Sequence, residues 1–388
     1  MTTRSVLITG ARSAAALDIA RDFSGAGWRV HLADSTVSRM ARWSSLEIRH
    51  HRYPSPRQEG AAFRSWVAGA VKEFGVDLVV PTCEEVFHLA TAPMHDALGE
   101  RLFAPPQETL RRLHDKLLFA QAARTWGLPT PESIAVGSAA DLDQFTADSS
   151  EWVFKPRFTR FGGSTLIGPD ARSLAALADA IDDGWMAQRR IRGDEASLHF
   201  IAHRGTLCAF AAYGSGWRLK GGASYAFEPV SQARAEHLRS LAEALVHGGN
   251  LHGQFGCDVM FDEAGEAMII ECNPRATSGV HLLAGDGALA RAIGDGASLP
   301  PGDQPTAYLG PAMVAFGLPH ALASGRISAW RACLANGNDA ISRPGDRMPF
   351  LGAMVDSAKF SLSGLKKGIS TTAATTHDIE WNGEEFDQ

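Results

Sequence analysis

Three polar residues at every second position, Glu271, Asn273 and Arg275, follow an apolar run in the stretch AMIIECNPRATSG, residues 267–279. In an extended strand successive side chains point to opposite faces, so these three share one face and Ile270, Cys272 and Pro274 take the other. The surrounding sequence GQFGCDVMFDEAGEAMIIECN reads as a β-hairpin turning at Ala264 and Gly265, which sets Asp258 directly across from Glu271. Carboxylates placed opposite one another repel. The pair is tolerable when one carboxyl is protonated or a cation lies between them, and Asn273 adds a neutral oxygen to the same face. Such an all-oxygen set suits Mg²⁺, which takes one or two carboxylates and fills its shell with water and substrate phosphates. The face therefore points to nucleoside-triphosphate chemistry, with Arg275 placed to meet phosphate oxygens.

These groups need a frame. The opening SVLITGARSAAALDIARDFSGAGWRVHLADS reads as strand, turn, helix, turn and strand, the start of an α/β unit. Asp34 ends the second strand, where a carboxylate can hold a ribose, but Gly10 is followed by Ala11, Arg12 and Ser13. The GxGxxG that lets the backbone approach a pyrophosphate is missing. VDLVVPTCEEV, from Val76, predicts a buried strand ending at Pro81. Its tip carries Glu84 and Glu85, whose simpler reading is two solvated carboxylates and whose alternative is a ligand crevice. Apolar spacing over residues 107–126 predicts one helix face, stopped by Gly127 and Pro129, with Lys116 on it as a solvated lysine beside Asp115.

WVFKPRFTRFGGSTLIG, residues 152–168, reads as two short strands around a loop containing Gly162, Gly163 and Ser164. WMAQRRIRGDEASLHFIAHRGTLCAFAAYG alternates as strands, broken at Gly193 and at Arg204 with Gly205, which predicts a mostly antiparallel sheet. Helical spacing over residues 230–247 stops at Gly248 and Gly249. LPPGDQP, from Leu299, is the linker candidate, and the rest to Gln388 can be placed only as a C-terminal extension.

At 388 residues the chain is long enough for two or three domains. Hydrophobic residues at 45% and charged residues at 21% are ordinary for a globular protein, and a net charge of -6 gives no attraction to nucleic acid or anionic membrane. MTTRSVLITG holds one basic residue before a short apolar run, and no stretch is long and apolar enough to span a bilayer, so the expected location is the cytoplasm. Cys83, Cys208, Cys257, Cys272 and Cys333 show no metal-ligand spacing and are expected as free thiols, Cys272 in a packing role.

EAMIIECNPRATSG resembles the metal-binding strand of the ATP-grasp superfamily, whose carbamoyl-phosphate-synthetase-like and carboxylate-amine-ligase members end in Glu-x-Asn-Pro-Arg. The resemblance implies an α/β (α+β) ATP-grasp fold in three parts. They are a Rossmann-like pre-ATP-grasp domain at residues 1–106, an ATP-grasp domain at 107–298, and a linker with C-terminal extension at 299–388. Within the middle part, about 120–188 would form the lysine and Gly-loop lobe and about 189–298 the metal lobe.

By position, Asp258, Glu271 and Asn273 resemble the magnesium ligands, and Arg275 the residue on the transferring phosphate. Lys116 and Lys155 resemble the two nucleotide lysines, with Gly162, Gly163 and Ser164 in the loop that closes over the phosphates. AQRRIRGDE is similar to the adenine hinge. Gln188 would approach the amino group, the backbone at Arg190 and Ile191 would pair with the ring, and Glu195 would hold the ribose hydroxyls; Gln188 departs from the glutamate common there. Lys220 in RLKGGASY matches a basic position near the acceptor in some members. The implied activity is an ATP-dependent ligase joining a small-molecule carboxylate to an amine through an acyl phosphate. Its cofactors are ATP and Mg²⁺, with Mn²⁺ as a substitute, and a homodimer is compatible with it. An NAD(P)-dependent oxidoreductase built on TGARSAA and Asp34, or a nucleotide-binding regulator, are the alternatives.

Overall fold

The computed structural model describes residues 3–158, 164–182, 184–219, 222–300, 302 and 304–386. Strands β1 (Ser5–Thr9), β2 (Arg29–Asp34), β3 (Ile48–Arg52) and β4 (Leu78–Val80) form a parallel sheet in the order β3-β2-β1-β4. Both faces of β1 are covered, which is why SVLIT runs apolar without alternation. Ser13 caps the helix Ala14–Gly25 by accepting the Ala16 N–H at 3.1 Å. Arg12 takes Asp34 from two sides, its amide at 2.8 Å and its guanidinium at 2.6 Å, so the carboxylate a ribose would need is committed to an ion pair. This argues against the dinucleotide reading.

A second sheet is antiparallel. It holds β5 (Ser133–Val136), β6 (Trp152–Pro156), β7 (Leu166–Ile167) and β8 (Trp185–Arg189), in the order β5-β8-β6-β7. Phe145, Trp152, Phe154, Leu174 and Leu177 form its own small core. The β6 and β7 hairpin stands where the sequence places it; Gly162 and Gly163 lie outside the described residues.

The third sheet has seven strands in the order β13-β12-β9-β10-β11-β14-β15. These are β9 (Asp194–His203), β10 (Thr206–Gly214), β11 (Ala226–Pro229), β12 (Gly253–Phe261), β13 (Ala267–Asn273), β14 (Ala307–Tyr308) and β15 (Asn338–Asp339). The helix Gln232–Gly248 buries Leu238, Ala242, Leu245 and Val246 against one face of it. All five cysteines are free, and Cys272 packs in this core. Among the described residues no helix is long and apolar enough to cross a membrane.

Residues 107–126 are two helices, Gln107–His114 and Lys116–Thr125, not the single one expected. Asp115 divides them. Its carboxylate accepts the Leu117 and Leu118 amides at 3.0 and 3.2 Å and an Arg157 Nε–H at 3.0 Å, an N-cap that restarts the helix in a new direction. The chain beyond residue 299 also differs from an appended extension, because it weaves back over the N-terminal sheet. β14 pairs with β11, Asp346 binds Arg21 at 2.7 Å, and Asp378 binds Arg12 at 2.6 Å. Trp381 is buried on Phe87 with ring centroids 4.9 Å apart.

The Arg12 contact makes this docking sensitive to acid. Burial alone would raise the Asp378 carboxyl, but the hydrogen bonds and charge of Arg12 hold it below its ordinary value. A depressed folded-state pKa contributes stability above the unfolded value, about 3.9, and loses it as pH falls through the folded one. Asp378→Asn should therefore cost on the order of 1–3 kcal/mol at neutral pH, the price of short-changing a buried guanidinium. The gap between variant and wild type in thermal unfolding should narrow as pH falls below the ordinary carboxylate value of about 3.9. A gap that stays constant across that range would rule the ion pair out as its source.

Candidate active site

The β12 and β13 hairpin brings Asp258 and Glu271 opposite each other through a bulge, since nearer the turn Phe261 faces Ala267. From that pair towards the turn the register slips by one, Val259 facing Ile269, so Ile270 is a bulge residue. The bulge corrects the strict alternation: Ile270 turns into the same cavity as Glu271, while Ile269 and Cys272 stay in the core. On the other side of β12, Asp258 faces Ser197 of β9, whose hydroxyl donates to Asp258 Oδ1 at 2.8 Å. Ser197 was not foreseen, although its place two residues after Glu195 in a strand sets both on one face.

Lys116 and Lys155 converge on Glu271, their Nζ atoms 3.6 and 3.7 Å from Oε2. Both lysines are buried, where Lys116 was expected in solvent. Lys116 opens the helix restarted by Asp115, and Lys155 lies on β6; Arg157, two residues on, binds Asp115 and so ties the two lysine segments together. Burial pulls the Lys155 ammonium down to about 8, against the attraction of Glu271 and with the repulsion of Lys116. Burial and the charge of Glu271 push Asp258 up to about 7. Glu271 goes the other way, to about 2, because the two lysines outweigh its burial. Without a bound cation the pair is thus stable as one protonated and one ionised carboxyl.

These groups close one end of a cavity of about 610 Å³ between the second and third sheets. Val153, Ile167, Met260 and Ile270 give it apolar walls, and the segment from Gln188 to Glu195 crosses its rim between β8 and β9. Gln188 is buried and its Nε2 donates to Ser133 Oγ at 3.2 Å and to the Ile270 carbonyl at 3.4 Å. The Arg190 amide donates to the Glu151 carbonyl at 2.8 Å. Gly193 lies so close to β12 that a Cβ would stand 1.9 Å from the Phe261 carbonyl oxygen, at a φ of +147°. A glycine is therefore required at this crossing. Glu195 lines the rim in an ion pair with Arg218, a partner the sequence did not indicate. Ser164 is exposed, one residue before Thr165, which does line the cavity. Lys220 lies outside the described residues.

Asn273 and Arg275 extend the strand beyond the cavity. The Asn273 amide turns its nitrogen to Asp258 Oδ2 at 3.5 Å and its oxygen to Arg275 at 3.3 Å. Arg275 Nε also lies 3.7 Å from Glu84 Oε1 at the tip of β4. Glu84 and Glu85 are both buried, which corrects the solvated reading. Glu85 accepts from Thr9 Oγ1 and from the amides of Thr82 and Cys83, and burial raises its carboxyl. Gln254 of β12 donates to the Pro81 carbonyl at 2.6 Å and fixes this tip against the third sheet.

Among the described residues no three His, Cys, Asp or Glu side chains gather as a metal cage. Two carboxylates and an amide fit Mg²⁺ better than zinc, because Mg²⁺ leaves much of its shell to water and phosphate oxygens. Oxygen ligation by Asn273 needs only a turn of its amide about χ2.

Two lobes thus clasp one cavity, with lysines from one and carboxylates from the other. Residues 113–279 match the family model of the ATP-grasp domain, and the chain carries an ATP-grasp domain with the ATP-grasp fold. No curated protein matches in sequence. Among solved structures, N5-carboxyaminoimidazole synthetase from Staphylococcus aureus complexed with ADP is 14% identical with a TM-score of 0.63, covering 82% of this chain and 86% of that one. L-amino acid ligase from Bacillus licheniformis is 17% identical with a TM-score of 0.56, covering 73% and 70%. The biotin carboxylase complex from Campylobacter jejuni is 14% identical with a TM-score of 0.60, covering 77% and 72%.

Proposed function

We propose that this protein is an ATP-dependent ligase that joins a small-molecule carboxylate to an amine or another nucleophile through an acyl phosphate, releasing ADP and phosphate. The observation that carries this reading is the convergence of Lys116 and Lys155 on Glu271, opposite Asp258, at the end of a cavity with apolar walls. The adenine lies between Val153, Ile167 and Met260, with Gln188, the Arg190 carbonyl and the Ile191 backbone at its edge and Glu195 at the ribose. Lys116 and Lys155 hold the phosphates, and Ser164 with the glycines before it belongs to the covering loop. Asp258, Glu271 and Asn273 would hold Mg²⁺, which when bound neutralises charge on the phosphate oxygens. The division at 1–106, 107–298 and 299–388 is kept as a working one: the first sheet lies within residues 1–106, whereas β14 and β15 carry the third sheet past residue 299.

The carboxylate substrate and its nucleophile meet in the crevice between Arg275 and Glu84. Arg275 orients the acid so that its oxygen attacks the γ-phosphorus while the bond to the β-bridging oxygen breaks. Phosphoryl transfer asks for positioning and charge neutralisation more than covalent work, and buried cations supply both. The nucleophile then attacks the acyl carbon and phosphate leaves. Lys220 is assigned to the acceptor side.

The product pair tests this sequence of steps. ADP and inorganic phosphate should appear in equal amounts with the new bond, and a carboxylate carrying ¹⁸O should pass one label to the phosphate. Label in AMP would mean attack at the α-phosphorus, and the roles given to Arg275 and the two lysines would have to be withdrawn.

A further inference from the structure

The helix Met348–Lys367 has two distinct faces. One is turned inward. Gly352 lies against the backbone of Arg39, where a Cβ would meet atoms at 2.6 Å, and Asp356 accepts the Arg39 and Met40 amides at 2.6 and 2.9 Å. The other is turned to solvent and carries Met348, Leu351, Val355, Leu362 and Leu365, which are 52%, 52%, 40%, 60% and 78% exposed. With exposed Ala358 these positions run 348, 351, 355, 358, 362 and 365, alternate steps of three and four. That is the a/d seam of a coiled coil. A helix resting on a globular body needs a single apolar stripe, so the outer one calls for a second surface to cover it.

The size of the face says what covers it. Met354 adds to it, and the segment after the short helix Gly310–Ala312, which packs against this one, exposes Val314, Phe316 and Leu322. Together these side chains present on the order of 800 Å² of apolar surface, about what one partner gives to a standard interface. Patches on monomers are typically smaller. The whole chain exposes 17149 Å², against the roughly 14,800 Å² that size scaling gives for a 41.5 kDa monomer.

We propose that this face is a two-fold homodimer interface, with the helices of two copies paired along the seam. An isologous interface must be complementary to itself, and a heptad seam is, because the knobs of one copy fit the holes of an identical one. Lys359, Lys366 and Lys367 on the same helix would also suit an anionic lipid surface, which the test separates.

Sedimentation velocity and light scattering on the full chain at micromolar concentration should give twice the chain mass of 41.5 kDa. Leu362→Glu combined with Leu365→Lys should raise the dimer dissociation constant by about a hundred-fold or more. Because both leucines are exposed, the variant should keep its circular dichroism, and Leu365→Ser alone provides a milder version with a smaller rise. Three results would overturn the proposal. They are a monomeric wild type at every concentration, a dimer equally tight in folded variants, and a monomeric wild type that sediments with phosphatidylserine vesicles.

Discussion

Replacing Glu271 with glutamine is expected to lower turnover on the order of a thousand-fold while the protein stays folded. The carboxylate is the single group that Lys116, Lys155 and Asp258 all face, so its charge organises the site. Glutamine keeps the volume and the strand pairing, and without the charge of Glu271 that pushes it up, Asp258 can ionise and stand in as counter-charge to the lysines. The fold therefore loses little. The chemistry loses an ionised oxygen at the point where phosphates and a divalent cation are to be held, and a neutral amide is a poor ligand for a hard cation. Turnover of a folded Glu271→Gln protein within a few-fold of wild type would remove the metal role from this strand. Added Mn²⁺, which tolerates weaker ligand sets, is expected to recover part of the lost activity.

Lys155→Ala is expected to weaken ATP binding by about ten- to a hundred-fold and to slow turnover further, with Lys72→Ala as its control. Lys155 is buried with its ammonium aimed across the cavity at Glu271, whereas Lys72 stands exposed in the last turn of the helix Gly60–Glu73. A buried cation has little water to replace it, so truncation leaves the phosphates short of a partner that solvent cannot restore. The exposed one changes only a screened surface charge. Titration with ATP and a steady-state rate on both variants decide the matter, and matched curves would show that Lys155 does not serve the phosphates.

Local pattern carried much of this site, and closure of the chain on itself carried the rest. The alternation of Glu271, Asn273 and Arg275 and the turn near Ala264 and Gly265 are short-range features, so a hairpin bringing Asp258 to Glu271 followed from spacing, although their direct pairing needs the slip at Ile270. The bulge at Ile270 did not, because a register slip depends on what the strand packs against, and MII reads the same with or without it. Asp115 reads equally well inside a helix and at its start until Arg157 is brought to it from 42 residues away. Glu84 and Lys116 look solvated in sequence since charge is usually exposed; both are buried because partners distant in the chain, Arg275 and Glu271, reach them. The partners of Asp346 and Asp378 lie more than 300 residues upstream, beyond any periodicity, and so their docking on the first sheet was illegible.

The weave of the C-terminal segment over the first sheet has a consequence for how the molecule is made. Arg12 and Arg21 leave the ribosome more than 300 residues ahead of their partners Asp378 and Asp346. Contacts spanning about 300 residues close late and at a high entropic cost, so the N-terminal sheet waits for those residues to be made with its Arg12, Arg21 and Phe87 sites uncovered. A fragment ending near residue 298 would keep every group that lines the cavity and still leave those sites bare. Loss of residues 299–388 should therefore appear first as aggregation of newly made chains, before any defect in nucleotide chemistry can be measured.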